Sequence, residues 1–291
     1  MEFHQPDNWA EALAMKAAHP DAMPIAGGTD VMVEINLDHH RPAAILDLTR
    51  IKDLTEWGSE GDLLRIGAGV TYARIIEELG DRLPGLAMAS RTVGSPQIRN
   101  RGTVGGNLGT ASPAGDAHPT LLASDATVEL ASTSGTRRIQ AREFFIGPKR
   151  NAARKDELIA AFLIEPAAGP QQFSKVGTRN AMVIAVCAFA LSIDPVRRRI
   201  GTGIGSAGPT PLRAVEAENF LEGVLDEQGL WEQRNEVNYA AVTRFGQLVA
   251  AAAQPIDDVR GTAAYRRHAL NVLARRSFTW AWDEYRRMAR V

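Results

Sequence analysis

The chain has 291 residues, with 33 Lys or Arg, 34 Asp or Glu and a formal net charge of −1. This length is enough for about two domains, and the balanced charge argues against nucleic acid as a partner. The only cysteine, Cys187, excludes an intramolecular disulfide and cannot by itself hold an iron–sulfur cluster or a thiolate zinc site.

The first 166 residues alternate short apolar runs with glycines and helical stretches, a pattern typical of mixed α/β structure. In MPIAGGTDVMVEI, a strand and a glycine turn precede a segment led by Thr29 and Asp30, two good helix-capping residues. In LLRIGAGVTYARIIEEL, a strand at 63–66 and a glycine turn precede a helix that begins near Thr71. ATVELAS and DELIAAFLIE are predicted to form two further strands.

The segment EPAAGPQQ, residues 165–172, marks the predicted domain boundary because Pro and Gly interrupt regular structure. Beyond it, FSKVG, VIAVCAFALSI and RRIGTGIG predict three strands. From Arg213 onward the composition favours helices, up to the basic tail YRRHALNVLARRSFTWAWDEYRRMARV. We interpret the arginines of that tail as a solvated helix face, with a partner-binding patch as the alternative.

The sequence shows neither an apolar run typical of a membrane span nor the features of an export signal. The longest apolar run, residues 181–193, is too short to span a bilayer and is predicted to be a buried strand. The first residues, MEFHQPDNWAEAL, lack the basic region and apolar core of a signal peptide. Together with the single cysteine, these features predict a cytoplasmic protein without a membrane span.

Two glycine loops carry the strongest chemical signal: AGGTD at 26–30 and TVGGNLGTASPAGD at 103–116. Successive main-chain N–H groups without a Cβ nearby can converge on an anion such as phosphate. Either loop alone is explained better as a simple turn, but the two together suit a pyrophosphate that is held from both sides. A side chain at Gly106 is expected to force an unfavourable φ and to occupy the space of a phosphate oxygen.

Other nucleotide-binding and catalytic motifs are either absent from the sequence or lack the context that they require. No Walker sequence occurs, and in GIGSAG at 203–208 the prolines that follow would disrupt the helix that a dinucleotide fold requires. The adjacent His39 and His40 are interpreted as loop residues, and no zinc-binding histidine motif is present. Cys187 lies in an apolar run, where it acts as a small hydrophobe. We therefore expect neither a catalytic nucleophile nor a metal site on this chain.

Six segments together resemble, in order and spacing, the FAD-binding medium subunit of the molybdenum hydroxylases, the family of xanthine dehydrogenase and carbon monoxide dehydrogenase. They are PIAGGTDV, IGAGVTY, IRNRGTVGGNLGTASPAGDAHP, GPKRNAARKDELI, GIGSAGPTPLRAVEAE and DDVRGTAAYRRHALNVL. The resemblance covers nearly the whole chain, and RNRGTVGGNL with SPAGD is its most specific part.

The resemblance implies an α+β fold in two domains. Residues 1–168 would form a vanillyl-alcohol-oxidase-type FAD-binding domain of two α/β subdomains, about 1–55 and 56–168. Residues 169–291 would form a C-terminal domain with a three-stranded antiparallel sheet and helices.

The resemblance also implies the residues that hold FAD. One side of the pyrophosphate would be wrapped by Ile25, Ala26, Gly27, Gly28, Thr29, Asp30 and Val31. The other side and the ribityl chain would be held by Thr103, Gly105, Gly106, Asn107, Thr110, Ser112 and Asp116. Ile159 would contact the ring system and Lys175 would lie close to the flavin, with an exposed strand lysine as the alternative. Val183 stands where the family pattern K-x-x-x-R-x-x-x-D-x-A has Asp, which leaves the electron acceptor open.

By the same resemblance the chain is an electron-transfer subunit, in which the flavin supplies the redox chemistry. Electrons would come from [2Fe-2S] clusters on a small partner, fed by a molybdenum cofactor on a large one, and pass to NAD+ or another acceptor. The assembly would be a dimer of heterotrimers. The lack of further cysteines argues against the 4-hydroxybenzoyl-CoA reductase variant, which carries an extra cluster. Two alternatives stay open: a stand-alone FAD-dependent oxidase or reductase without molybdenum partners, and a nucleotide-binding scaffold without turnover.

Overall fold

The computed structural model describes residues 1–39 and 41–288. Its first part is a small parallel sheet with helices. Its elements are β1 (Glu2–His4), α1 (Trp9–Ala18), β2 (Met23–Ile25), α2 (Val31–Asn36) and β3 (Ala44–Asp47). The strands pair in the order β1-β3-β2, all parallel. Helix α1 begins where Asn8 Oδ1 accepts a hydrogen bond from Glu11 N at 2.9 Å, and buried Ala12 and Leu46 contribute to the core between α1 and the sheet.

A five-stranded antiparallel sheet follows, with helices between its strands along the chain. The elements are a 3-10 turn (Lys52–Thr55), β4 (Trp57–Glu60), β5 (Leu63–Gly67), α3 (Tyr72–Glu78), α4 (Pro84–Arg91), α5 (Pro96–Arg101), α6 (Val104–Thr110), α7 (Ala117–Ala123), β6 (Thr127–Ser132), β7 (Gly135–Gln140), α8 (Ala141–Phe144), β8 (Phe145–Gly147), β9 (Arg150–Asn151) and β10 (Leu158–Ile164). The strands of the sheet pair in the order β4-β5-β10-β6-β7. Phe144 and Phe162 are fully buried in the core beneath this sheet.

The third part contains β11 (Gln171–Val176), β12 (Cys187–Asp194), β13 (Arg199–Gly205), α9 (Val215–Glu227), α10 (Leu230–Gln233), α11 (Tyr239–Ala252) and α12 (Ala263–Arg287). Its three strands form an antiparallel sheet in the order β11-β12-β13. Fully buried aromatic rings of Phe189, Phe245 and Phe278 pack between this sheet and the long helices.

The structure confirms the predicted mixed α/β character and the three-stranded antiparallel sheet with its helices. It also confirms the strand at 63–66 and the following helix, where Thr71 is the N-cap. The predicted strand over 181–193 is wrong in its first half. The neighbouring strand β11 ends at Val176, which pairs with Cys187 and accepts a hydrogen bond from Val186 N, so the residues before Val186 have no strand beside them. Within residues 1–39 and 41–288, no helix has both the length and the apolar composition that crossing a membrane requires.

The glycines of the segment GIGSAG have a packing role. A Cβ at Gly203 would overlap the carbonyl oxygen of Pro119, and one at nearby Gly201 would overlap that of Ala123. Glycine at these positions therefore lets helix α7 lie directly on strand β13. The tail after Arg213 is helical as predicted, and its last residues, 289–291, lie outside the described part of the chain.

Candidate functional site

The two glycine loops meet in the structure, although residues 31–102 lie between them in the sequence. Thr110 Oγ1, at the end of helix α6, donates a hydrogen bond to Asp30 Oδ2 at 2.9 Å. Asp30 is the N-cap residue of α2, but its side chain makes no capping hydrogen bond. The prediction that Asp30 caps this helix is thus confirmed for its position, but its side chain accepts from Thr110 instead of from the first turn of α2.

Gly27 and Gly28 have different structural roles in the first loop. A Cβ at Gly27 would overlap the carbonyl oxygen of Arg101, so the main chains of the two loops touch here. Gly28 has φ of +75°, a conformation that L side chains rarely adopt. On the other side of the contact, a Cβ at Gly102 would lie 3.4 Å from Thr29 Oγ1. The remaining first-loop residues of the predicted set are Ile25 at the end of β2, Ala26, and Val31 at the start of α2.

Helix α6 begins the second loop. Thr103 is its N-cap, and Thr103 Oγ1 accepts a hydrogen bond from Gly106 N at 2.8 Å. Gly105 faces inward, where a Cβ would overlap the main chain of Ala68. Gly106 faces open space, with only Thr103 Oγ1, at 3.1 Å, near the place a Cβ would take. Gly106 lies in the helix and has no positive φ, so the expectation of an unfavourable φ for a side chain at Gly106 is wrong.

Two buried acceptor atoms in this region have no hydrogen-bond partner in the described part of the chain: Asn107 Oδ1 and Asp116 Oδ1. Asn107 and His118 approach each other at Gly115, the neighbour of Asp116 in the chain, where a Cβ would overlap the His118 ring and stand 2.8 Å from Asn107 Nδ2. Buried polar atoms without partners are costly. Their clustering indicates a place where hydrogen-bonding groups of a ligand would be accommodated.

His118 is a site residue that the sequence analysis did not single out. It is fully buried, its Nε2 lies 3.1 Å from Asn107 O, and its ring packs on Phe145. Burial lowers the pKa of His118 to about 4, so the imidazole is neutral at pH 7. The only sequence signal was its place two residues after SPAGD in the quoted motif.

Lys175 lies beside Asp116 and is not an exposed strand lysine, so that alternative is wrong. Lys175 Nζ is 2.6 Å from Asp116 Oδ2 and donates to Thr92 O at 3.3 Å. The side chains of the ion pair are only 7% and 10% exposed. Burial raises the pKa of Asp116, while the Lys175 ammonium opposes that shift. The pair connects strand β11 to the turn before helix α7.

Ile159 and Ser112 complete the predicted set. Ile159 lies at a register shift between β10 and β6, and it packs against the cores of both of the first two sheets. Such a bulge redirects a side chain relative to a regular strand. Its Cδ1 comes within 3.7 Å of where a Cβ of Gly109 in α6 would stand. Ser112 Oγ accepts a hydrogen bond from Ala114 N at 3.2 Å and so shapes the SPAGD turn.

Other candidate chemical groups do not contribute to this site. Cys187 is fully buried, and burial raises the pKa of its thiol to about 12, which excludes a reactive thiolate at neutral pH. His39 is exposed, and His40 lies outside the described residues. The site therefore consists of main-chain amides, small polar side chains and one buried ion pair, which suits binding of a polar anionic ligand.

Comparison with known families gives two matches along the chain. Residues 1–166 match the family described as the FAD binding domain in molybdopterin dehydrogenase. Residues 172–281 match the CO dehydrogenase flavoprotein C-terminal domain. The two matches together include every predicted site residue from Ile25 to Lys175.

Individual proteins agree with these matches. The nicotinate dehydrogenase FAD-subunit of Eubacterium barkeri is 34% identical over 235 residues, which are 76% of this chain and 79% of that one. The glyceraldehyde dehydrogenase medium chain of Sulfolobus acidocaldarius is 30% identical and covers 92% of this chain and 93% of its own. A solved structure of Hydrogenophaga pseudoflava carbon monoxide dehydrogenase that lacks the Mo-pyranopterin moiety superimposes with a TM-score of 0.88, at 26% identity and 98% coverage of both chains.

Proposed function

We propose, since the chain belongs to the family of FAD-binding medium subunits of molybdenum hydroxylases, that it holds FAD between its two glycine loops and transfers electrons between partner subunits and an external acceptor. The observation that carries this proposal is the contact of the loops themselves. The hydrogen bond from Thr110 to Asp30 joins the two predicted anion-binding segments, which supports a single site that both of them share.

The residues of this site fit the chemistry of FAD. Apart from the Thr103 hydroxyl, no side chain covers the face of α6 at Gly106, so a phosphate oxygen can approach the main chain there. Asn107 Oδ1 and Asp116 Oδ1 are buried acceptors that lack donors within the described residues, and the ribityl hydroxyls of a flavin are donors of the matching kind. Two phosphate-binding segments favour the pyrophosphate of FAD over the single phosphate of FMN.

When bound, FAD supplies the capacity to take up and release electrons. The chain supplies binding and orientation: the two loops hold the pyrophosphate, and Asn107 with Asp116 holds the ribityl chain. Ile159 provides an apolar contact for the ring system. Asp116 and Thr92 fix the Lys175 ammonium in one position, from which it supplies a localised positive charge beside the proposed ring position.

The proposed partners are a large subunit with a molybdenum cofactor and a small subunit with [2Fe-2S] clusters, assembled as a dimer of heterotrimers. The relatives support a multi-subunit enzyme because their names describe them as an FAD-subunit and a medium chain. The single cysteine of this chain cannot hold such clusters. NAD+ is the first candidate acceptor, and the substrate oxidised on the large subunit is not specified by this chain.

The predicted division into subdomains 1–55 and 56–168 and a domain 169–291 is part of the proposal, as is the vanillyl-alcohol-oxidase-type arrangement of the first two. Three main hydrophobic cores support this division, one beside each sheet of three or more strands. The cytoplasmic location stays a prediction.

The first test is the identity and behaviour of the bound flavin. The purified protein should release one FAD per chain on acid treatment, identified by chromatography, and its yellow flavin absorbance should bleach when the partner's substrate or NADH is added. FMN, or no flavin, would refute the proposed site. A flavin that never bleaches would favour the scaffold alternative.

The second test concerns the partners. Isolation of the untagged protein from its native cells should yield two further chains that carry molybdenum and iron. A stable single chain with full turnover of a substrate would favour the stand-alone oxidase or reductase.

A further inference from the structure

Three metal-ligating side chains meet at one edge of the first sheet, separate from the residues assigned to FAD. They are Glu2 and His4 on strand β1 and His19 directly after helix α1. Each offers one ligand atom, and these three atoms all lie within 4.8 Å of one another. Glu2 Oε2 is 3.4 Å from His4 Nε2, and the two imidazole rings stack with centroids 4.4 Å apart.

The topology explains why these residues converge. Side chains two residues apart on a strand point to the same side, which puts Glu2 and His4 together. Helix α1 connects parallel strands, so it runs back along the sheet and its end returns to the edge where β1 begins. His19 caps that helix end. Our expectation of no metal site rested on histidines close together in sequence and missed this cluster.

The chemistry of the cluster matches a divalent transition metal. His4 Nε2 is buried and has no hydrogen-bond partner in the described part of the chain, although the atom is a good metal ligand when the ring is neutral. Two imidazoles and one carboxylate suit Zn²⁺ and its neighbours in the first transition row. Tetrahedral ligands at about 2.0 to 2.1 Å from zinc stand about 3.3 Å apart, close to the observed distance from Glu2 to His4.

We propose that Glu2, His4 and His19 form a binding site for a divalent transition-metal ion, with water in the remaining coordination position. The Glu2 side chain is 69% exposed and is free to rotate toward the ion. A bound ion would connect the start of strand β1 to the end of helix α1. Its expected effect is on the stability of the N-terminal part of the chain and not on the flavin.

Titration of the intact flavoprotein, without a histidine tag, with Zn²⁺ in a calorimeter tests this site. The wild-type protein should bind one Zn²⁺ per chain at the site. His4→Ala should weaken that binding by at least ~100-fold, since loss of an outer-shell partner alone costs about 10- to 100-fold. His39→Ala, which removes an exposed histidine outside the cluster, should bind like the wild type. Zn²⁺ should also raise the melting temperature of the wild type and of His39→Ala but not of His4→Ala.

Equal Zn²⁺ affinity in the wild type and His4→Ala, or no binding by the folded wild type, would overturn the proposal. Should His4→Ala fail to fold, His19→Ala replaces it, because His19 is exposed and its removal leaves no cavity. Unchanged affinity in His19→Ala would then count against the site in the same way. Flavin content measured on each variant separates this result from the proposed function, since none of the three ligands belongs to the FAD site.

Discussion

Lys175 Nζ lies 2.6 Å from Asp116 Oδ2 in a nearly water-free contact between strand β11 and the turn before helix α7. The pair links the sheet of the third part of the chain to the proposed FAD site in the second. Thr92 adds to this link, because its carbonyl oxygen accepts from Lys175 and its hydroxyl lies 3.4 Å from Asp116 Oδ2. One ion pair therefore couples the position of β11 to that of the SPAGD turn.

Replacing Lys175 by Met should lower the free energy of unfolding by about 3 to 5 kcal/mol, because it leaves a buried carboxylate without its countercharge. The double variant Lys175→Met/Asp116→Asn removes both charges and should recover most of that loss. Urea unfolding of the three proteins measures the difference. Equal stability of wild type and Lys175→Met would show that water already reaches Asp116.

Lys175→Ala should keep its FAD, since the proposed pyrophosphate contacts lie on other residues, but it should change the rates of flavin reduction and reoxidation. Stopped-flow absorbance with the physiological acceptor provides the measurement. Arg276→Ala, an exposed change on helix α12, serves as the control with wild-type rates. Identical kinetics in all three proteins would place Lys175 away from the flavin ring.

Gly106→Val should give a folded protein with little or no flavin. The valine side chain points into the open face of α6, where it would block the approach of a phosphate to the main chain. Loss of two charge-assisted hydrogen bonds, at roughly 1.5 to 3 kcal/mol each, would weaken binding by about two to four orders of magnitude. Flavin absorbance per chain and circular dichroism report the two properties separately.

Two further glycine variants serve as controls for Gly106→Val. Gly105→Ala should lower stability instead, because its Cβ would overlap the main chain of Ala68. Gly223→Ala on helix α9 has open space around it; it should keep its flavin and gain about 0.5 to 1 kcal/mol of stability, because alanine favours a helix interior over glycine. A fully yellow, folded Gly106→Val protein would show that the phosphates lie elsewhere.

Gly205→Ala should retain FAD while it lowers the melting temperature. Its Cβ would come within 2.9 Å of Pro119 Cγ, so strand β13 and helix α7 must separate slightly. Overpacking of this kind costs typically about 1 to 3 kcal/mol. Loss of flavin from a folded Gly205→Ala protein, tested by gel filtration and absorbance, would mean that GIGSAG belongs to the nucleotide site after all.

Stability should depend on pH through His118. Burial lowers its pKa from 6.5 to about 4 in the folded chain, so between these values the unfolded chain binds the extra proton and the folded chain does not. The contribution is therefore fully present above pH 6.5 and is lost as the pH falls toward 4, by about 3 kcal/mol in total.

Urea unfolding at pH 7 and pH 5 of wild type, His118→Gln and His268→Gln tests this dependence. The drop between the two pH values should be smaller in His118→Gln and unchanged in His268→Gln, because His268 is exposed. An equal drop in all three proteins would assign the pH dependence to other groups.

The sequence determined the local elements whose signals depend on neighbours in the chain. Strands β11 and β13, helix α3 with its Thr71 cap, and the helices after Arg213 follow from side-chain periodicity and capping chemistry. Glycine at position 28 likewise permits the positive φ that the main chain adopts there. These features are readable because each is set by a few consecutive residues.

The tertiary structure alone decided which distant residues meet. Asp30 could cap its own helix by local rules, yet it accepts from Thr110. Lys175 could be exposed on a strand, yet it is buried beside Asp116. Gly105 and Gly106 are neighbours with the same local pattern, but only Gly105 faces Ala68. Strand order and helix packing fix such contacts, and no short window of sequence contains both partners.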